Sequence, residues 1–520
     1  MDSMARIPRL LALCAAAGIA ATACAQSTPP TDHAERPSLK AVDAMLNIER
    51  SRLTPVDASK LVIAADPSIP RPPYSFSEDD AAFLTSVQHG CFNFLWNAGD
   101  PATGMVPDRS SIKTVSVAGV GFQLSALPVG VKYGWITPEQ ALERTDLILT
   151  SLMRDPAIRS YGLFQHYING VTAGRHGDSL EQTVSTIDSA ILFAGVLTIS
   201  SYLHNDPAFA NNPDATRVAN LADTIFTGAN WRPFVSGDWA RPHERGYVSL
   251  GYQPDKETPT GHGRMLPYFW ADSGCEHRLV TFLGVCAPDE SHRLDPTMYY
   301  RLRRPLGVYK LGTSPMDPLS EPMVYLPFSG ALFTNQFSHV WLDYARMGPD
   351  KPSDWGMIHR ASVDWWENSR RLTKMQMDVS KASGRFPMGG WGLTASDAPS
   401  GYAVPGMYPT RLPMKGAATE FDYSTFVPAN DMGDGTLAPY GAGCAILFYP
   451  KEAVAALRTY RKIAEARKEL WNEPANGGYG FQDSFNPVYQ KDAWVAPDVV
   501  SIDAGPLILM IENARSGHVQ

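Results

Sequence analysis

Residues 180–203 read LEQTVSTIDSAILFAGVLTISSYL, and this stretch decides the fold class. Apolar positions recur at Val184, Ile187, Ile191, Ala194 and Thr198, close to the 3.6-residue period of a helix and unlike the two-residue alternation of a strand. The same signal predicts helices over Asp80–Trp96, Gly119–Lys132, Pro138–Arg154, Glu276–Val285, Gly330–Met347, Ser353–Ser380, Pro450–Leu470 and Gly505–Ala514. Long loops rich in Gly, Pro and aromatics, such as 230–272 and 381–445, separate them, and loops of that length in a compact enzyme usually carry function. Many helices with long one-sided loops point to an all-α protein, with an α/α toroid favoured over an α-solenoid because no repeat period is visible.

Working outward, the 520 residues divide into a leader, a tether and one large body. Arg6 and Arg9 precede an apolar run, Leu10 to Ala23, which is too short for a comfortable membrane span and reads as a signal-peptide core. Ala21-Thr22-Ala23-Cys24 resembles a lipobox in which Cys24 would be acylated, although Ala stands where Leu is usual. Ordinary cleavage after Ala23-Cys24-Ala25 is the equal alternative. Either way the expectation is export to the periplasm, with an outer-membrane tether if Cys24 is lipidated. After a leader over 1–25, residues 26–75 read as tether and N-terminal extension: a Ser, Thr and Pro-rich stretch, a short helical segment (Leu39 to Leu53) and a Pro-rich run ending at Pro73. One catalytic domain is expected over 76–518.

Hydrophobic residues make up 44% and charged residues 19%, which permits a large core and excludes wholesale disorder. A net charge of -8 argues against a nucleic-acid partner and suits a neutral ligand. Outside the leader, Cys91, Cys275, Cys286 and Cys444 show no zinc-ligand spacing, so neither metal nor cofactor is expected. Buried thiols are the simplest reading of them, and a Cys275–Cys286 disulfide is the alternative that export would allow. A monomer is expected.

Three carboxylates stand out because they break the amphipathic rule or edge an aromatic loop. Asp188 falls four residues after Val184 and three before Ile191, on the apolar face, where a lone acid costs several kcal/mol unless it is hydrogen-bonded or functional. Glu276 opens an apolar helix behind the aromatic loop Tyr268 to Cys275; mere decoration of the helix dipole is the competing reading. Asp397 lies in Trp391 to Tyr402, where spacing alone favours a turn aspartate.

At these residues the chain resembles the bacterial glucoamylase-like domain family and, within it, the family-144 glycoside hydrolases, which are β-1,2-glucanases. The resemblance runs from about Phe92 to Gly517. It is carried by Phe94-Leu95-Trp96 with Asp108-Arg109, Gly119-Val120-Gly121-Phe122, Gly162 to His166, Ser185 to Ala190 and Gln336 to Trp341. Trp391 to Tyr402, Asp434 to Pro439, Tyr479 to Asn486 and Met510 to Asn513 complete it. The resemblance implies an (α/α)6 toroid with a cleft at one end, an oligo- or polysaccharide substrate, no metal, and inversion at the anomeric carbon. Asp188 matches an essential acid that is Glu in the β-1,2-glucanases, and a second family acid falls on Ser185. Glu276 matches a family Glu, though its loop departs from Trp-x-x-Tyr-x-Glu. Asn335 stands where relatives tend to carry His.

These matches make Glu276 the expected general acid, with Asp188 or Asp397 activating water directly or through a substrate hydroxyl. Arg109, His166, Arg175, His339, Trp341, Trp391 and Tyr402 are candidate sugar contacts, and for each of them packing or loop bracing is an equal reading. A hydrolase or transglycosylase for a different exported glycan, or a non-catalytic glycan-binding lipoprotein, are the competing functions.

Overall fold

The computed structural model describes residues 38–520 apart from 178–181, 239, 241–244, 255–262, 312–319, 321, 326–329, 385, 387–388, 416–432 and 488–492. The leader, Cys24 and the tether through Pro37 lie outside these residues.

Among the described residues, twelve helices alternate between an outer and an inner ring. The outer set is α1 (Glu78–Asn97), α3 (Pro138–Arg154), α5 (Pro213–Thr227), α7 (Thr297–Arg301), α9 (Trp365–Ser383) and α11 (Pro450–Ala466). The inner set is α2 (Val117–Lys132), α4 (Thr186–Asn205), α6 (Arg278–Val285), α8 (Phe333–Gln336), α10 (Pro439–Gly443) and α12 (Ser501–Arg515). Helix α4 packs on α2 and α6, and α12 returns to α1 and α2, so the ring closes. This is the (α/α)6 toroid that the resemblance implies.

The two rings differ in sequence because they differ in what surrounds them. Long outer helices are amphipathic and capped: Thr137 and Gln140 form a reciprocal capping box at the start of α3, and Asn212 caps α5 ahead of Pro213. The inner helices α2 and α4 are buried on every side near their N-termini, from Val117 to Gly130 and from Thr186 to Val196. Each Ile or Leu buried there contributes roughly 1.5–3 kcal/mol. Helices α2 and α4 meet at glycines. A Cβ on Gly195 would lie 2.0 Å from the Gly121 carbonyl oxygen, and one on Gly121 would lie 2.3 Å from that of Ile191. By length and composition α4 could cross a membrane, yet it is a core helix of the ring.

Several expected boundaries are corrected. The helix expected over Gly330–Met347 is broken into α8, a 3-10 turn (Phe337–Val340) and a separate turn (Tyr344–Met347) capped by Asp343. The one expected over Ser353–Ser380 begins only at Trp365, capped by Asp364, because Gly356 turns left-handed (φ 78°) and Ser362–Val363 pairs as a strand with Val62–Ile63. Helix α4 starts at Thr186, after a short strand Val184–Ser185. Helix α5 was not expected at all. The loop 230–272 holds two-stranded ladders, including Val248–Ser249 with Phe269–Trp270.

Residues 38–75 lie against the ring. The helix Ser38–Leu46 packs on α9, Tyr74 hydroxyl donates to the Leu447 carbonyl at 2.9 Å, and Arg71 pairs with buried Asp364 at 2.6 Å. Cys91, Cys275, Cys286 and Cys444 are free thiols, which overturns the Cys275–Cys286 disulfide. These two cysteines flank the eight-residue helix α6, a rise of about 12 Å, well beyond bridging range.

Candidate active site

The candidate carboxylates Asp188 and Glu276 lie at, or just before, the N-terminal ends of inner helices. There the unpaired N–H groups and the helix dipole favour negative charge. Asp188 occupies the first turn of α4. Ser185 caps that helix and donates to Asp188 Oδ2 at 2.5 Å, while the Asp188 N–H donates to Ser185 Oγ at 3.3 Å. His166 Nε2 lies 3.5 Å from Asp188 Oδ1, and its ring stacks on Tyr167 at 3.8 Å. The backbone of His166 is clamped between its neighbours: its N–H donates to Thr183 O, and its carbonyl accepts from Val117 N, at the start of α2.

Glu276 sits in the turn before α6, 4% exposed. The preceding strand is tied to α4 through Trp270, whose Nε1 donates to Thr186 Oγ1 at 3.0 Å; Thr186 Oγ1 donates in turn to the Ser249 and Leu250 carbonyls. Burial, with the Asp188 carboxylate facing it, pushes Glu276 well above the usual carboxylate range. Among the described residues no neighbouring cation offsets this. His277, stacked on Trp270 at 5.1 Å, is driven down to about 3 by burial and by Arg278, so its imidazole is neutral. Arg278 turns away, over the Trp365 ring at 4.2 Å.

A second group of acids lies around Arg109. Arg109 Nη1 holds Asp397 Oδ2 at 2.5 Å, its Nε lies 3.6 Å from Asp108 Oδ2, and its guanidinium is 5.8 Å from the Tyr402 ring. Three loops knit this corner together. Ser110 and Ser111 hydroxyls donate to Asp498 at 2.8 and 2.9 Å, Asp397 N–H donates to Asp483 Oδ2 at 2.7 Å, and Ser484 hydroxyl donates to the Asp397 carbonyl at 2.6 Å. Asp397 stands in a strand, Ser396–Ala398, paired with Gly401–Ala403, which corrects the turn favoured from its spacing. Asp108 is buried and pushed up to about 6, by burial first, against the pull of Arg109 and His166 and with the push of Asp188 and Asp397. Asp483 and Asp503 face one another fully buried. Burial and this mutual repulsion drive Asp503 well above its ordinary range.

The structure thus brings together Glu276, Asp188, His166, Asp397, Arg109 and Tyr402. Other candidates make their contacts elsewhere. Arg175 Nε donates to the Ala157 carbonyl at 3.3 Å. His339 is buried against Tyr344 and Phe448 with Ser369 Oγ at 2.8 Å. Trp341 stacks on Phe122 and donates to Ser125 Oγ at 3.0 Å, and the Trp391 backbone is held by Tyr460. Asn335 is buried on α8, where its carbonyl accepts from Ser369.

Sequence reasoning missed Asp108 as a site residue, and it missed Asp483 and Asp503 altogether. Asp503 had a signal, an acid inside the apolar run that becomes α12. The expected helix starts only at Gly505, four residues after the true start at Ser501, and so leaves Asp503 outside it.

The sequence profile of the family described as "Putative glucoamylase" matches residues 270–520. The chain is 24% identical over 464 residues to the exo β-1,2-glucooligosaccharide sophorohydrolase (non-reducing end) of Parabacteroides distasonis, covering 84% of this chain and 55% of that protein. It therefore spans about half the length of this curated relative. Among solved structures, the endo-β-1,2-glucanase of Chitinophaga pinensis, in complex with sophorotriose and glucose, superposes with a TM-score of 0.62 at 20% identity, over 86% of this chain and 94% of that one. The β-1,2-glucanase of Parabacteroides distasonis gives 0.63 at 20% identity, over 86% and 58%. Ring and profile point the same way: residues 270–520 resemble the glucoamylase-like family, and the chain shares the (α/α)6 toroid of these solved structures.

Proposed function

We propose that this chain is an exported glycoside hydrolase for a β-linked glucan, most specifically β-1,2-glucan, working by inverting acid/base catalysis. The observation that carries the reading is Glu276: a buried carboxyl with no compensating cation among the described residues, facing Asp188. A carboxyl kept protonated in that way can give its proton to a leaving glycosidic oxygen. Asp397 stands beside Arg109 and Asp188 beside Glu276; either could take the proton of the attacking water, directly or through a substrate hydroxyl. The relatives named above, which act on β-1,2-linked glucans, support the choice of linkage. The basic and apolar start of the sequence supports export to the periplasm, with lipidation at Cys24 as the anchored form.

Product analysis on β-1,2, β-1,3, β-1,4 and α-linked glucans tests the reading. Cleavage of the β-1,2 polymer with release of inverted anomers is expected. Turnover of another linkage, or retention at the anomeric carbon, would overturn the corresponding part. Binding without any product would leave a glycan-binding protein.

A further inference from the structure

Behind the Arg109 corner, Asp483 and Asp503 meet in the protein interior, and no step assigned above uses either. Asp503 lies in the first turn of α12, and Asp483 just ahead of the short strand Phe485–Asn486. Both are buried, and their side chains stand within hydrogen-bond reach of one another. Of their four oxygens, Asp483 Oδ1 and both of Asp503 are buried and accept no N–H or O–H. The fourth, Asp483 Oδ2, accepts the Asp397 N–H at 2.7 Å. Buried acceptors normally find a donor, and here the only atom that could supply one is a proton on the pair itself.

The charges point the same way. The cation acting on both acids is Arg109, and it is already committed to Asp397 at 2.5 Å. With every acid of this corner ionised, Asp108, Asp397, Asp483 and Asp503 would set four negative charges around that one guanidinium. One proton between Asp483 and Asp503 supplies the missing donor and removes one of those charges. Tyr402, Tyr440 and Cys444, which also face Asp503, are pushed up in the same surroundings and so bring no opposing charge. The backbone links this pair to Arg109. Ser501 N–H donates to the Asp108 carbonyl at 2.9 Å, Ser110 N–H to that of Val499 at 3.0 Å, and Asp483 N–H to that of Asp498 at 3.0 Å.

We propose that Asp503 is a positioning residue: it holds a proton that it donates to Asp483, so that Asp483 can fix the Asp397 N–H and keep Asp397 against Arg109. Asp503 acts through Asp483 and not on the glucan. Its effect on turnover rests on the catalytic reading of the Arg109–Asp397 pair, whereas its own protonated state does not.

The test compares Asp503→Asn with Asp503→Ala in the full chain, on β-1,2-glucan at pH 7. An Asn amide donates to Asp483 as the protonated acid does, and Ala leaves Asp483 without a donor. Asp503→Asn should therefore keep kcat within about threefold of wild type, while Asp503→Ala should lose about tenfold or more in kcat with KM within about twofold. An Ala variant with wild-type kcat, an Asn variant as impaired as Ala, or a loss confined to KM would overturn the proposal. The infrared difference between wild type and Asp503→Asn is a readout that a merely structural role would not move. It should show loss of the C=O stretch of a protonated carboxyl; loss of an ionised carboxylate alone would overturn the proposal, whether or not Asp503→Ala folds. Should wild type cleave no glucan, the catalytic reading falls, and the infrared difference decides the state of Asp503 by itself.

Discussion

Glu276 and Asp397 are two candidate acids in contrasting surroundings. Glu276 is buried in a turn where the adjacent His277 is neutral, Arg278 lies over the Trp365 ring, and the charge acting on it among the described residues is another carboxylate, Asp188. Asp397 is gripped at 2.5 Å by a guanidinium and braced through its own N–H by Asp483. Two carboxyl groups thus stand in opposite surroundings: burial beside Asp188 favours the protonated form of Glu276, whereas Asp397 is paired with a guanidinium. The helix N-termini that gather the acids do not make this distinction; the placement of Arg109 does.

The contrast can be broken from either side. Glu276→Gln removes the proton donor while keeping its shape, and turnover should fall about 10³–10⁴-fold. The same variant should gain thermal stability at pH 7, because it no longer pays for a buried carboxyl; a less stable, active variant would contradict both expectations. Arg109→Ala strips Asp397 of its counter-charge and should lower kcat by about 10²–10³-fold with the fold intact by circular dichroism. Asp108, raised to about 6, holds its proton more tightly in the folded chain than in the unfolded one. Stability should therefore fall as pH rises from about 4 to 6, by on the order of 3 kcal/mol at most, and Asp108→Asn should flatten that slope in denaturant titrations. The smallest effect is expected at Arg175, whose Nε braces the Ala157 carbonyl: Arg175→Ala should leave turnover within about twofold.

Length and exposure, more than the ring a segment occupies, set what was legible: inner α2 and α4 are expected from their apolar runs, while outer α5 is not. The outer helix Pro138–Arg154 was bounded correctly because it faces water on one side and therefore carries both a 3.6 period and a capping box. Inner segments such as Phe333–Gln336 and Pro439–Gly443 are buried along their whole length and only one turn long, so no period exists to be read. The same physics qualifies the argument for Asp188. It was singled out for lying on an apolar face, but α4 is buried all round from Thr186 to Val196. What distinguishes Asp188 is its place in the first turn. Asp397 looked like a turn residue because its ladder partner Tyr402 and its ion-pair partner Arg109 are fixed only by the fold, the latter 288 residues away in sequence. The juxtaposition of buried Asp483 and Asp503 is likewise a meeting of two segments distant in sequence, which no local pattern announces for the pair.

The claim on which the rest depends is that Glu276 is a neutral acid at working pH. An infrared difference spectrum between wild type and Glu276→Gln at pH 7 tests it without reference to any substrate. The account predicts that the C=O stretch of a protonated carboxyl is present in wild type and lost in the variant. A difference showing only an ionised carboxylate would contradict it.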